Sequence, residues 1–224
     1  MQIGRRSNPA ETVAQFVYEV PHHAKMDLLI HLLGEPSMNM VLIFSRTKHG
    51  ADKVARRLEQ HGVRTATLHS NRSQNQRLRA LKDFKTGAVR VLVATDIAAR
   101  GIDVDGISHV VNYDFPMHSE DYVHRIGRTG RAHAVGDAIS FVTPDDRGAL
   151  RSLERFIGRG IVRKHAEGFS PGAAPPERRS APLQAGRSDP GNQPRYGTLQ
   201  PARAGGNQGA GSRPQSFQHR RSRR

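Results

Sequence analysis

Six short apolar runs, five of them followed by a segment of helical period, constrain this chain more than any other feature of it. "TVAQFVYEV" (12–20) reads as a strand, and "KMDLLIHLL" (25–33) as a helix that stops near Gly34 and Pro36. "NMVLIFS" (39–45) is a second strand, followed by the amphipathic segment 50–61 with Val54 and Leu58 on one side and Gly62 as its stop. "VRTATLH" (63–69) precedes a helix over 73–87, with Ser73 as N-cap and Leu78, Leu81 and Phe84 as its apolar stripe. "VRVLVAT" (89–95), "HVVNYD" (109–114) and "DAISFVT" (137–143) complete the strands, with helices over 119–126 and 146–157. Runs this apolar do not alternate with polar residues, so both sheet faces are covered; the pattern predicts an α/β fold with a parallel sheet flanked by helices.

In such a sheet, ligands sit where strands end and the chain enters loops. The polar, arginine-bearing stretches lie there. "FSRT" (44–47) leaves the second strand, "HSNRSQNQR" (69–77) the third and "ATDIAARGIDV" (94–104) the fourth. "YVHRIGRTGRA" (122–132) then sets Arg125, Arg128 and Arg131 three apart, with Gly127 and Gly130 between them. A guanidinium is always charged and its planar fork suits phosphate oxygens, while glycine lets backbone approach a ligand closely. One such stretch alone is a solvated basic turn. Four on one rim point to phosphate.

Individual residues carry distinct expectations. Gln74 and Arg77, three apart at a helix start, address one strand of sugar and phosphate together with the helix N-terminus. Arg46 and Thr47 add phosphate contacts. Thr95 offers a hydroxyl and a backbone N–H at a strand end, suited to a phosphate. Asp103 alone is a turn carboxylate bonding its own backbone; beside Arg100 and Gly101 it reads as a ligand group. His69 and His124 lack carboxylates or cysteines at ligand spacing, so each is a packing or hydrogen-bonding histidine and no metal site is predicted.

"VLIFSRT", the Q-N-Q-R at 74–77, "VATDIAARGIDV" and "YVHRIGRTGR" resemble, in order and spacing, the C-terminal RecA-like domain of DEAD-box ATP-dependent RNA helicases over about Glu11 to Ile157. The "HSN" loop and the tail look closest to the bacterial RhlE type. The resemblance implies that Arg125 and Arg128 are arginine fingers reaching a γ-phosphate on a partner domain, where a finger contributes roughly 10³ to 10⁵ in rate. It also implies that Asp103 accepts from the ribose hydroxyls of ATP, with Gly101 beside it, that Arg100 lies across the interdomain cleft, and that His124 couples the nucleotide and RNA surfaces. Arg131 either points to the partner domain or braces its loop. Contacts to RNA are to backbone, with little sequence preference.

The sequence contains no G-x-x-x-x-G-K-[ST] loop, no "DEAD" and no "SAT". In the family those elements lie in an N-terminal RecA-like domain that binds ATP and Mg²⁺. Residues 1–10 therefore read as a linker remnant, 11–164 as the second motor domain, inactive alone, and 165–224 as a separate tail. That tail is rich in Gly, Pro, Ser and Gln and carries ten arginines against Glu167, Glu177 and Asp189, which is +7 of the chain's +15. It cannot bury enough surface to offset its ordering entropy and is predicted to be disordered. Nucleic acid is its expected partner, over an acidic membrane surface or mere solubility. A non-enzymatic RNA-binding or annealing protein driven by this tail is the alternative function. The absence of cysteine excludes a disulfide framework, a zinc ribbon and a thiol nucleophile. No stretch approaches the length of a membrane span, and a cytoplasmic location is expected.

Overall fold

The structure is a computed structural model that describes residues 13–130 and 136–172. Seven parallel strands form one sheet: β1 (Val13–Glu19), β2 (Val41–Phe44), β3 (Thr65–Leu68), β4 (Val91–Ala94), β5 (His109–Asn112), β6 (Gly136–Val142) and β7 (Val162–Arg163). Their order is β3-β4-β2-β5-β6-β1-β7. In register, Phe44 lies opposite Ala94 on one side and Asn112 on the other, so β2, β4 and β5 end level. All strands being parallel, their carboxyl ends share one rim.

The helices are α1 (Lys25–Leu33), α2 (Lys48–Gln60), α3 (Gln74–Lys85), α4 (Asp96–Ala99), α5 (Ser119–Ile126) and α6 (Arg147–Ile157). Successive residues of a strand point to opposite faces, and the core divides accordingly. Val41, Ile43, Val91, Val93, Val111 and Phe141 pack under Leu28, Leu29 and Leu32 of α1 and Val54 and Leu58 of α2. On the other face, Leu42, Phe44, Leu92, Ala94 and Val110 meet Ala80 and Phe84 of α3 and Ala98 of α4. Further along that face, Val13, Val17, Ala138 and Val142 meet Tyr122 and Ile126 of α5 and Leu150 and Leu153 of α6. Both faces are covered, as the apolar runs require.

One expectation is corrected. Leu78 does not belong to the apolar stripe of α3: it is 56% exposed, and Ala80 and Phe84 make the buried contact with Leu81 beside them. Positions 80, 81 and 84 share one helical face, whereas 78 projects from another. The short α4 and β7 had no periodic signal, since four and two residues are too few to show one. Packing continues past residue 164. Ala166 and Phe169 pack against the core, the His31 ring meets Phe169 at 5.7 Å, and His31 Nε2 lies 2.9 Å from the Glu167 carbonyl. Most of the basic tail, and the linker at 1–10, lie outside the described residues. Among the described residues no helix is long and apolar enough to cross a membrane.

Candidate functional site

Each strand on the rim delivers its loop through a local device. Thr47 caps α2, its hydroxyl accepting from the Gly50 N–H at 2.9 Å. Ser73 caps α3 in a reciprocal pair: its hydroxyl accepts from the Gln76 N–H, and the Gln76 side chain accepts from the Ser73 N–H. Gly101, at φ +81°, turns the chain after α4 through the left-handed region, where a side chain is disfavoured.

Two charges, one half-buried and one buried, lock these loops together. Asp114, just past β5, accepts from the Ser45 hydroxyl (3.0 Å), the Arg46 N–H (2.9 Å) and Lys25 Nζ (3.2 Å). Burial raises its pKa, but the Arg46 N–H, the Lys25 charge and the Ser45 hydroxyl outweigh it and hold the carboxyl below its ordinary value. Arg125, only 4% exposed, is the second lock. Its Nε and Nη2 donate to the two Asp96 oxygens at 2.6 and 2.8 Å, and its Nη1 donates to Asn112 Oδ1 (3.1 Å) and the Asp114 carbonyl (2.7 Å). The Phe44 ring lies under the guanidinium at 5.1 Å. One side chain of α5 thus fastens the ends of β2, β4 and β5.

Around that lock the rim opens as a notch lined by Phe44, Asp96, Ala99, Arg100, Asp121, His124, Arg125 and Arg128. Its volume of about 20 Å³ holds about one water. A notch of this size cannot enclose a nucleotide. Arg100 and His124 are exposed at its mouth, and Arg128 is half-buried, donating from Nη1 to the Ile102 carbonyl at 2.9 Å. Asp103 and Gly101 lie exposed beside them in sequence. Arg131 lies outside the described residues.

The nucleic-acid candidates sit along the same rim but not in the notch. Gln74 and Arg77 touch, Nη1 to Oε1 at 3.4 Å, and the Arg77 Nε is buried with no hydrogen-bond partner. Arg46 is anchored by a hydrogen bond from Nη2 to the Phe115 carbonyl at 3.3 Å, with Asp146 Oδ1 at 3.9 Å. The Thr95 N–H is engaged with the Leu68 carbonyl at 3.2 Å, because the ladder between β3 and β4 runs one residue past the strand. The Thr95 hydroxyl makes no cap bond. His69 is the hydrogen-bonding histidine expected, with Nε2 2.9 Å from Asp52 Oδ1, and Arg72 shares that carboxylate at 2.8 Å. Among the described residues no group of three or more His, Cys, Asp or Glu could hold a metal ion.

Asp96, Asn112 and Asp114 escaped the sequence reading. Asp96 stood inside a quoted motif, but its partner follows 29 residues later and no local pattern links the two.

Residues 24–133 match the family described as the helicase conserved C-terminal domain. The chain is 36% identical to a chain in the crystal structure of E. coli DEAD-box protein SrmB bound to regulator of ribonuclease activity A, with a TM-score of 0.69, covering 73% of this chain and 97% of that one. The chain belongs to the DEAD-box protein family. Its matched region is the helicase C-terminal domain. It is also similar to S. cerevisiae Dbp5 bound to RNA and ADP BeF3, with 31% identity and a TM-score of 0.68 over 75% of this chain and 45% of that one. Among curated proteins it is 40% identical to the DEAD-box ATP-dependent RNA helicase CshA of Bacillus subtilis over 163 residues, 73% of this chain and 33% of the relative. This DEAD-box chain therefore spans about a third of the length of that relative.

Proposed function

We propose that this DEAD-box domain is the second half of an ATP-dependent RNA helicase motor, acting on RNA in the cytoplasm. An N-terminal RecA-like domain, in cis or in trans, holds ATP and Mg²⁺. The domain described here closes over the nucleotide and supplies half of the RNA-backbone groove for duplex unwinding. One observation carries the reading: the shallow cationic notch at the rim, with Arg100, His124 and Arg128 around an Arg125–Asp96 lock, is a wall with no opposite side. The positive groups suit a triphosphate. Of the two notch carboxylates, Asp96 is tied to Arg125 and Asp121 lies on α5; this reading assigns Mg²⁺ to the partner domain.

Within this reading Arg128 is the finger toward the γ-phosphate. Arg125 serves from behind, because its nitrogens already hold Asp96, Asn112 and the Asp114 carbonyl. Asp103 and Gly101 receive the ribose, Arg100 and His124 face the partner domain, and Arg131 joins them. Thr95 through its hydroxyl, Gln74, Arg77, Arg46 and Thr47 hold RNA backbone. Nearness to the RhlE type rests on the "HSN" loop and the basic tail alone.

The test mixes the full chain with a separately expressed N-terminal RecA-like domain, RNA and ATP, and measures phosphate release. Release appears only with both domains, and Arg128→Ala lowers it by about 10³ or more. Release that survives Arg128→Ala removes the finger assignment.

A further inference from the structure

We propose a second RNA-backbone surface on the outer side of α6, away from the rim notch. Arg147, Arg151 and Arg155 are exposed at helical spacing of four, one above another at steps of about 6 Å. Arg159 follows in the turn that Gly158 makes at φ +74°. Arg151, Arg155 and Arg159 line one open groove of about 840 Å³, whose remaining lining includes Gly148, Gly158 and Gly160. Those glycines leave Glu154 as the one other side chain in the groove lining.

The charge of this groove is uncompensated. Arg147 is paired with Glu19 at 3.1 Å, and Glu154, the carboxylate of the groove, accepts from Arg163 Nη1 (3.1 Å) and the Ile161 N–H (3.0 Å). Arg151, Arg155 and Arg159 have no carboxylate partner among the described residues; Arg155 reaches only the Ser152 hydroxyl, at 3.3 Å. Like charges four apart on a helix repel and destabilise it. A polyanion relieves that repulsion. A phosphodiester strand repeats its charge at a step comparable to the arginine spacing, and guanidinium forks match its oxygens. The groove lining contains no aromatic side chain on which bases could stack, so recognition is of backbone and indifferent to sequence. The surface also joins the rim: α6 starts next to Asp146, whose carboxylate lies 3.9 Å from Arg46. RNA held by Arg46 thus has a basic path onward along α6. The choice of RNA as the polyanion rests on the proposed function above.

The test uses the full chain with Arg151, Arg155 and Arg159 all changed to Gln, beside a control that loses equal charge on α2 through Lys53→Gln, Arg56→Gln and Arg57→Gln. Binding of fluorescent oligouridylate is followed by anisotropy across a potassium chloride series. The α6 variant lowers the slope of log affinity against log salt by about 2, from roughly 0.7 per phosphate contact, while the control slope stays at the parental value. An unchanged slope, or an equal fall in the control, overturns the proposal. So does a chain that binds polyglutamate through these arginines while its RNA slope is unmoved, which makes the groove a dock for acidic protein. Phosphate release with the N-terminal domain on saturating RNA checks the motor reading separately, since no residue of α6 lines the notch. All six positions are exposed, and matching thermal melts establish that both variants fold.

Discussion

Asp96→Ala tests whether Arg125 is a buried brace. The substitution removes both carboxylate oxygens from a guanidinium that is 4% exposed, leaving it with Asn112 Oδ1 and the Asp114 carbonyl. Breaking a fully buried ion pair costs about 3–5 kcal/mol. The Asp96 side chain is 33% exposed, and two neutral acceptors remain, so water and those oxygens recover part of the loss. About 2–3 kcal/mol is the resulting scale, that of a charged donor left partly unsatisfied. For a domain of this size each kcal/mol moves Tm by about 2–4 °C, and Asp96→Ala lowers it by about 5–10 °C. Asp96→Asn, which keeps one acceptor, falls between. The double variant Asp96→Ala, Arg125→Met melts above Asp96→Ala alone, because the stranded charge has gone with its partner. Circular dichroism melts of the full chain at neutral pH give all the values. If Asp96→Ala melts with the parent, Arg125 is not held by this pair, and it returns as a candidate to reach outward beside Arg128.

Truncation after Gly172 separates the motor from a protein driven by its tail: it lowers RNA affinity of the isolated chain and flattens its salt slope, measured by anisotropy, because all ten tail arginines go. Unchanged affinity would remove the basis for the annealing alternative. Acid lowers stability in two windows. Burial depresses the His109 pKa despite the nearby Asp137 and Glu35 charges, so the unfolded chain binds that proton first. The contribution is full above the ordinary value of about 6.5 and is lost as pH falls through the folded value. His109→Gln removes this dependence in urea titrations across that range. Asp114 contributes in the same sense lower down, above its ordinary carboxylate value, and loses it as pH falls through its depressed folded value. Gly136→Ala is more damaging in a thermal melt than Gly101→Ala. A Cβ at 136 would collide with the Thr129 side chain and come within 2.7 Å of the Gly130 nitrogen, whereas at 101 it meets open space and only the backbone angle resists, by about 1–2 kcal/mol.

The strands, the main helices and their faces were legible in local pattern, since an apolar run of four to seven residues buried on both sides leaves a direct mark in composition. So did the caps: Ser73 before Q-N-Q-R announced α3. Parallel order made the rim predictable too, because every strand end in such a sheet faces one way. What each rim residue does there was decided by tertiary structure. Arg125 and Arg128 look alike in "HRIGR", yet one lies in the sheet's end among Asp96, Asn112 and the Asp114 carbonyl, and the other stands half-buried at the notch. The difference arises because β2 sits between β4 and β5, an order no residue pattern encodes, and it brings Asp96 within reach of a helix that begins 23 residues later. Local chemistry chose which groups could bind phosphate; the crossing of the chain chose which of them still faces outward.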